Sequence, residues 1–482
     1  MSVLEKINAK FQVLDVLRLS EYVNSRKFYE KLVSLKKDEY HDNERIVFIH
    51  DLKSDAILNN LKKLLVFIDI PDFFTIVVQD EIKKDIDVFE FSDNHCIYPW
   101  ANIEIRNNGA FSPCCKFSGG ILDDNNQPLN IANSTITDAY SSKFMISLRE
   151  KFKQGQRPVE CNNCWINEGS ENKSSLRTRA NWKFRNILYK IDYETESVDN
   201  IRSMDLKLGN TCNLSCRICA PTPSSTIAAL DYQANRLSKQ QFIKIKKDAS
   251  WSEDNNFWQQ ILPLANNLVA LDILGGEPLL VKSHFNFLKK LIGLGVSNSI
   301  ALDYTSNGTQ PIKEYLPIWE NFLETKISFS IDDIKERFEY QRNGAVWNQV
   351  EANIRDALDL RSDKFLVEIY PTINIQNVYY LPELIEWAHK IGVDSISYSF
   401  VHTPTYLSVR HMTTEAKTLV VSKLENYKSL HEMIPTSINL ILGSDQLCRQ
   451  ENFLKEMQMR DKERGQDFCK THAKIAKAMG YL

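Results

Sequence analysis

Two rhythms of apolar and polar residues run along this chain. Near its start Leu14, Leu17 and Tyr22 recur at helical spacing, and a helix is expected there. The run Ile46, Val47, Phe48 and Ile49 then reads as a strand. Ile57, Leu58, Leu61, Leu64, Leu65 and Ile68 restore the helical period, and residues 73–78 read as a second strand. Residues 1–90 are therefore expected to form a small α/β unit. It has no glycine-rich loop between strand and helix, so no nucleotide site is read there. Residues 91–170 lose both rhythms. The turn formers Pro99, Gly109, Pro113, Gly119 and Gly120 predict short strands and loops instead. Residues 171–200 read as a helical connection rich in Arg and Lys. From 201 to 402 strands are expected at 201–208, 268–274, 299–304, 326–331, 366–373 and 395–400, with helices such as 283–294 and 381–391 between them. This alternation predicts an α/β fold with a parallel sheet, curled into an incomplete barrel or left open. Active sites of such sheets lie at the carboxyl ends of the strands. Residues 403–482 read as a helical extension with a charged tail.

Composition narrows the class. At 482 residues, two or three domains are expected. With 59 basic against 62 acidic residues, nothing points to a dominant electrostatic grip on nucleic acid or membrane. Glu5 and Lys6 stand where a secretory signal would need an apolar core, and Asp69, Pro71 and Asp72 interrupt the longest apolar stretch. The chain reads as cytoplasmic and without a membrane partner. Eight of its ten cysteines fall between positions 96 and 219, which suggests metal ligation or redox chemistry rather than disulfides.

The chemistry concentrates at strand ends. Cys212, Cys216 and Cys219, spaced Cys-x3-Cys-x2-Cys, leave the first strand on one loop. Three thiolates can hold three irons of a [4Fe–4S] cube and leave the fourth open, although half of a zinc site is an alternative reading. Gly275, Gly276, Glu277 and Pro278 end the second strand, where glycines permit close backbone approach and a carboxylate suits an ammonium. Ser306 and Asn307 end the third strand, Ser330 and Asp332 the fourth, and Thr372 and Asn374 the fifth. Upstream, Cys96, Cys114, Cys161 and Cys164 form a Cys-x12-Gly-x4-Cys half and a Cys-x2-Cys half, with Cys115 an alternative to Cys114. Four thiolates can enclose a metal completely, and a zinc ribbon is again an alternative.

The cysteine triplet at the start of a six-fold β/α repeat resembles the radical S-adenosylmethionine (SAM) superfamily, over residues 201–402. That resemblance implies a partial (β/α)6 barrel with Cys212, Cys216 and Cys219 as catalytic cluster ligands. It also implies SAM held by Gly275, Gly276, Glu277 and Pro278, by Ser306 and Asn307, and by Ser330 and Asp332, with Thr372 and Asn374 in reach. One departure is Ile218, where the family usually has an aromatic residue. The upstream cysteines resemble SPASM/twitch domains, implying a second, auxiliary [4Fe–4S] cluster on Cys96, Cys114, Cys161 and Cys164. Here, unusually, that domain precedes the barrel. The implied activity is reductive cleavage of SAM to a 5′-deoxyadenosyl radical that takes hydrogen from a peptide or protein side chain. Electrons would come from a flavodoxin or ferredoxin. A small-molecule dehydrogenase, dehydratase or epimerase, and a non-catalytic iron–sulfur or zinc scaffold, are the alternatives.

Other residues carry weaker signals. Arg177, Arg179, Lys183 and Arg185 surround Trp182 and read as a solvated helix face or an anion clamp. Cys448 and Cys469 read as free thiols, or as a hydrogen-atom donor.

Overall fold

The computed structural model describes residues 94–168, 175–184, 187, 191–444 and 450–481, and the strands at 12–18, 44–50 and 74–78. The three early strands β1 (Gln12–Arg18), β2 (Glu44–His50) and β3 (Phe74–Val78) form a parallel sheet in that order. The expected helix at Leu14 and Leu17 is thus corrected to a strand. Its run Gln-Val-Leu-Asp-Val-Leu-Arg fits either period when read alone, and parallel pairing with β2 decides it. Tyr22, the expected helix from Ile57 to Ile68, Cys448 and Arg185 lie outside the described residues.

The chain divides into two compact units. One comprises Met1–Ala101, Lys116–Gly119 and Lys143–Asn200; the other comprises Asn102–Cys115, Gly120–Ser142 and Ile201–Leu482. In the first, the helix Lys143–Lys153 buries Met145, Leu148, Arg149 and Phe152 at helical spacing. The sequence had predicted only strands and loops there. Turn formers elsewhere in the segment masked a short amphipathic period. The turn Val159–Cys161 and the helix Asn162–Glu168 follow, and the helix Leu176–Lys183 starts at a Ser175 capping box.

The second unit is built on one sheet. Its strands are β4 (Asn102–Ile105), β5 (Phe111–Ser112), β6 (Ser203–Lys207), β7 (Ala270–Leu274), β8 (Ala301–Ser306), β9 (Glu324–Phe329), β10 (Phe365–Ile369) and β12 (Ser395–Ile396). The spatial order is β12-β10-β9-β8-β7-β6-β4-β5, and every neighbour pair is parallel except β4 with β5. The sheet stays open between β5 and β12, as an incomplete barrel does. Two expected strands are each split in two. The fifth gives β10 and β11 (Thr372–Ile373), and the sixth gives β12 and β13 (Ser399–Phe400). Pro371 lies between β10 and β11 and has no N–H for the ladder, so β11 pairs separately with β13.

The helices between the strands bury apolar residues at helical spacing. The helix Lys282–Gly293 buries His284, Phe287, Leu288 and Leu291, and the helix Trp347–Asp359 buries Val350, Ile354 and Ala357. The helix Leu381–Ile391 ends at Gly392, whose φ of 78° gives the left-handed cap. Met204, Leu206, Leu271, Ile273, Leu302, Tyr304 and Ile327 are buried on the strands. Each fully buried large apolar side chain contributes about 1.5–3 kcal/mol. The intervening positions carry charge. Glu104, Asp205, Asp272, Asp303 and Lys326 stand in register across β4, β6, β7, β8 and β9, and so share one face. Beyond the sheet, the helices Thr414–Leu424, Met433–Leu442 and Gln450–Arg464 share a core with Ile373, Ile375, Leu381 and Ile385. Among the described residues no helix is long and apolar enough to cross a membrane.

Candidate active site

The cysteine loop leaves β6 and is held from three sides. The first is the start of the helix Ser225–Gln233. Ser225 Oγ accepts from the Cys212 N–H at 3.2 Å, and Thr226 Oγ1 donates to the Cys212 carbonyl at 2.7 Å. Ser224 caps that helix and donates to the Leu214 carbonyl at 2.9 Å. The second is the end of β7. Gly275 and Gly276 have φ of 91° and 50°. A Cβ on Gly275 would lie 2.6 Å from the Lys207 carbonyl carbon, and one on Gly276 would strike the Thr211 carbonyl oxygen. The glycines here let backbone approach backbone, joining the two loops, and the Glu277 N–H donates to Thr211 O at 2.7 Å. The third is the end of the helix Lys335–Gln341 and the segment after it. The N–H groups of Ser215 and Arg217 donate to the carbonyls of Asn343 and Gln341 at 2.9 and 2.8 Å. The sequence reading missed this third support. Its signal was the polar run Gln341, Arg342, Asn343 and Gly344, closed by a glycine with φ of 98°.

The three thiols sit close enough to feel one another's charge. Burial pushes Cys216 up to about 12 and Cys219 up to about 11, and raises Cys212 as well. The guanidinium of Arg342 opposes these shifts and is itself paired with Asp332 at 2.9 Å. The Cys212 sulfur accepts from the Leu214 N–H at 3.5 Å, with Asn307 Nδ2 at 4.0 Å. Among the described residues, no three His, Cys, Asp or Glu side chains converge as a single-ion site requires. In an iron–sulfur cube each thiolate takes a different iron, so such convergence is not needed. Three coupled thiols on one loop beside a buried cation fit that donor set.

The other sequence-predicted residues surround this loop, and several are already engaged. Glu277 is wholly buried, and burial pushes its carboxyl up to about 7. It accepts from Ser306 Oγ at 3.0 Å, the Asn307 N–H at 2.6 Å and the Leu279 N–H at 3.2 Å. Asn307 Nδ2 donates to Asn213 Oδ1 at 3.0 Å, tying β8 to the cysteine loop. Pro278 is buried at the start of a short 3-10 turn. Ser330 donates its N–H to the Ser306 carbonyl at 2.8 Å. Asp332 accepts the Thr372 N–H at 2.8 Å. Asn374 is wholly buried, its amide donating to the Thr372 carbonyl and to Gln341 Oε1. Ile218 packs against the core that includes Tyr340.

The upstream cysteines divide. Cys96, Cys161 and Cys164 lie in the first unit, and Cys114 and Cys115 in the second. Burial and the neighbouring Cys161 push Cys96 up, while burial and Cys164 push Cys161 up to about 12. Three of the four expected auxiliary ligands are therefore gathered. Arg177 is neither a solvated face nor an open clamp. It is buried, pairs with Glu168 at 2.7 Å, donates to the His95 carbonyl at 2.6 Å and lies 4.9 Å from the centre of the Trp165 ring. Arg179 and Lys183 are exposed. Cys469 is half-buried near the Tyr481 carbonyl.

No family model matches the chain. An uncharacterized protein of Methanocaldococcus jannaschii is 26% identical over 210 residues, 42% of this chain. The match spans 64% of that protein's length. Native anSMEcpe with bound AdoMet is 14% identical at a TM-score of 0.32, over 54% of this chain and 66% of that one. Streptococcus suis SuiB bound to S-adenosylmethionine is 12% identical at a TM-score of 0.30, over 71% of this chain and 69% of that one. TYW1 with a lysine-pyruvate adduct is 15% identical at a TM-score of 0.29, over 56% and 81%. Superpositions this loose decide nothing about the site, whose own residues carry the reading that follows.

Proposed function

We propose that this chain is a radical SAM enzyme that takes hydrogen from a peptide or protein side chain. The observation that carries the proposal is the loop of Cys212, Cys216 and Cys219 at the carboxyl end of β6, bonded to the loops that end β7 and β8. Those three thiolates would hold a [4Fe–4S] cluster with one iron open to SAM. When bound, the cluster supplies the electron that cleaves SAM to methionine and a 5′-deoxyadenosyl radical. The chain's own residues do the positioning. Gly275 to Pro278, Ser306, Asn307, Ser330, Asp332, Thr372 and Asn374 are proposed to hold SAM, the buried ones such as Glu277 and Asn374 by fixing the loops around it. Glu277, held by Ser306 and Asn307, fixes two of these loops against each other before any ligand arrives. Cys96, Cys114, Cys161 and Cys164 are proposed to hold the auxiliary cluster, with a flavodoxin or ferredoxin as electron donor. The peptide substrate rests on the resemblance of the upstream cysteines to SPASM/twitch domains.

Anaerobically reconstituted protein, once reduced, should release 5′-deoxyadenosine and methionine from SAM. Replacing Cys212, Cys216 and Cys219 by Ala should abolish that release and remove about four irons. Stoichiometric zinc with no visible absorbance in the reconstituted protein would overturn the reading.

A further inference from the structure

Arg217 lies between Cys216 and Cys219, is 0% exposed, and faces away from solvent into the helical region beyond the sheet. Its Nε donates to the Tyr340 carbonyl at 3.1 Å, and its guanidinium stacks 3.8 Å from the Tyr340 ring centre. One Nη2 hydrogen bond runs to Asp461 Oδ1 and another to Gln466 Oε1 at 2.8 Å. Asp461, on the helix Gln450–Arg464, is 5% exposed and gathers further donors: Tyr340 OH at 2.7 Å, Tyr481 OH at 2.6 Å and the Phe468 N–H at 2.8 Å. A buried guanidinium needs its partner, because an uncompensated charge in such a place is strongly unfavourable. Losing Asp461 would push Arg217 to seek water, and the backbone of Cys216 and Cys219 on either side would move with it.

We propose that Asp461 is a positioning residue that sets the cysteine loop through Arg217. Two of the three thiols are thus placed by a residue more than two hundred positions away, outside the β/α repeat. This rests on the reading of Cys212, Cys216 and Cys219 as cluster ligands, but the geometry can be tested without a cluster.

Cys216 is 8% exposed and Cys164, in the other compact unit, is 7% exposed, and both can be labelled in metal-free, full-length protein. Their alkylation by iodoacetamide can be followed separately by peptide mass spectrometry. Asp461→Asn should speed alkylation of Cys216 roughly tenfold or more by local opening, with Cys164 unchanged. Arg217→Lys, which keeps the charge but loses the fork and the stack, should do the same and decides the matter if Asp461→Asn does not fold. Unchanged Cys216 labelling, or equal acceleration at both cysteines, would overturn the proposal. After reconstitution, Asp461→Asn should retain less iron and show an altered electron paramagnetic resonance signal on adding SAM; wild-type behaviour there would also overturn it. A wild type that takes up no iron overturns the cluster reading instead, and leaves the labelling result standing.

Discussion

Glu368 sits where the charged row of the sheet ends. Lys326 bridges Asp303 at 3.1 Å and Glu368 at 3.5 Å, and the hydroxyls of Ser328, Ser395 and Ser397 all donate to the same carboxylate. Burial opposes its ionisation, but Lys326 and then the three hydroxyls outweigh burial and hold its carboxyl below the usual range. A carboxylate lowered in the fold contributes stability above its unfolded pKa and loses it as pH falls through the folded value. Glu368→Gln should therefore destabilise the protein at pH 7 by about 1.5–3 kcal/mol, with the deficit shrinking below about pH 4. Urea titrations of both proteins across that range check this, and a deficit independent of pH would remove the ion pair from the explanation. Glu277 shows the opposite balance, since burial wins there despite three donors. Neither environment was legible in the sequence. Residue type and strand position located Glu277, but its partners Ser306 and Asn307 come from a different strand thirty positions on. Arg342, the cation beside the thiols, gave no sequence signal except its place in a polar turn.

The loop elements join these residues, and their glycines do the joining. Gly276 has φ of 50° and is pressed against the Thr211 carbonyl, so a Cβ there is strained and also displaces the cysteine loop. Gly276→Ala should lower the melting temperature and weaken iron retention. Gly293→Ala, at the end of a helix where a Cβ would meet nothing within 4 Å, should be neutral or stabilising by up to about 1 kcal/mol. Thermal melts and iron assays on the pair check this; equal effects would mean that the end of β7 does not support the cysteine loop. At this scale much was legible. Strand and helix alternation from 201 to 402 is a repeated periodic signal, and all six expected strand regions form. What failed were short or ambiguous runs. Leu14 and Leu17 fitted two periods, and the helix Lys143–Lys153 buries only four residues in a segment dominated by turns. The pairing of β4 with β6 joins residues about a hundred apart, which no local pattern reports.

Cys212, Cys216 and Cys219 lie in one compact unit and three of the four upstream thiols in the other, and this division bears on what each set can do. Cysteine spacing made both sets visible in the sequence, because thiolate ligands must come in short, fixed intervals. It did not show that the upstream set would be parted, with Cys96, Cys161 and Cys164 in one unit and Cys114 in the other. The supports named for the loop of Cys212, Cys216 and Cys219, which are Ser225, Glu277, Asn343 and Asp461, all lie in the second unit. In the first unit Arg177, paired with Glu168, donates to the His95 carbonyl next to Cys96. If supports and thiols are partitioned in this way, the sets should fail independently. Replacing Cys161 and Cys164 by Ala should lower iron content from about eight to about four per chain. Reductive release of 5′-deoxyadenosine should persist, since a cluster fully covered by four thiolates has no open iron for SAM. Iron assays beside 5′-deoxyadenosine yield, on a variant whose melting transition is intact, provide the measurement. Loss of SAM cleavage with the other four irons retained would mean that the upstream cysteines serve the first electron transfer, not a later step.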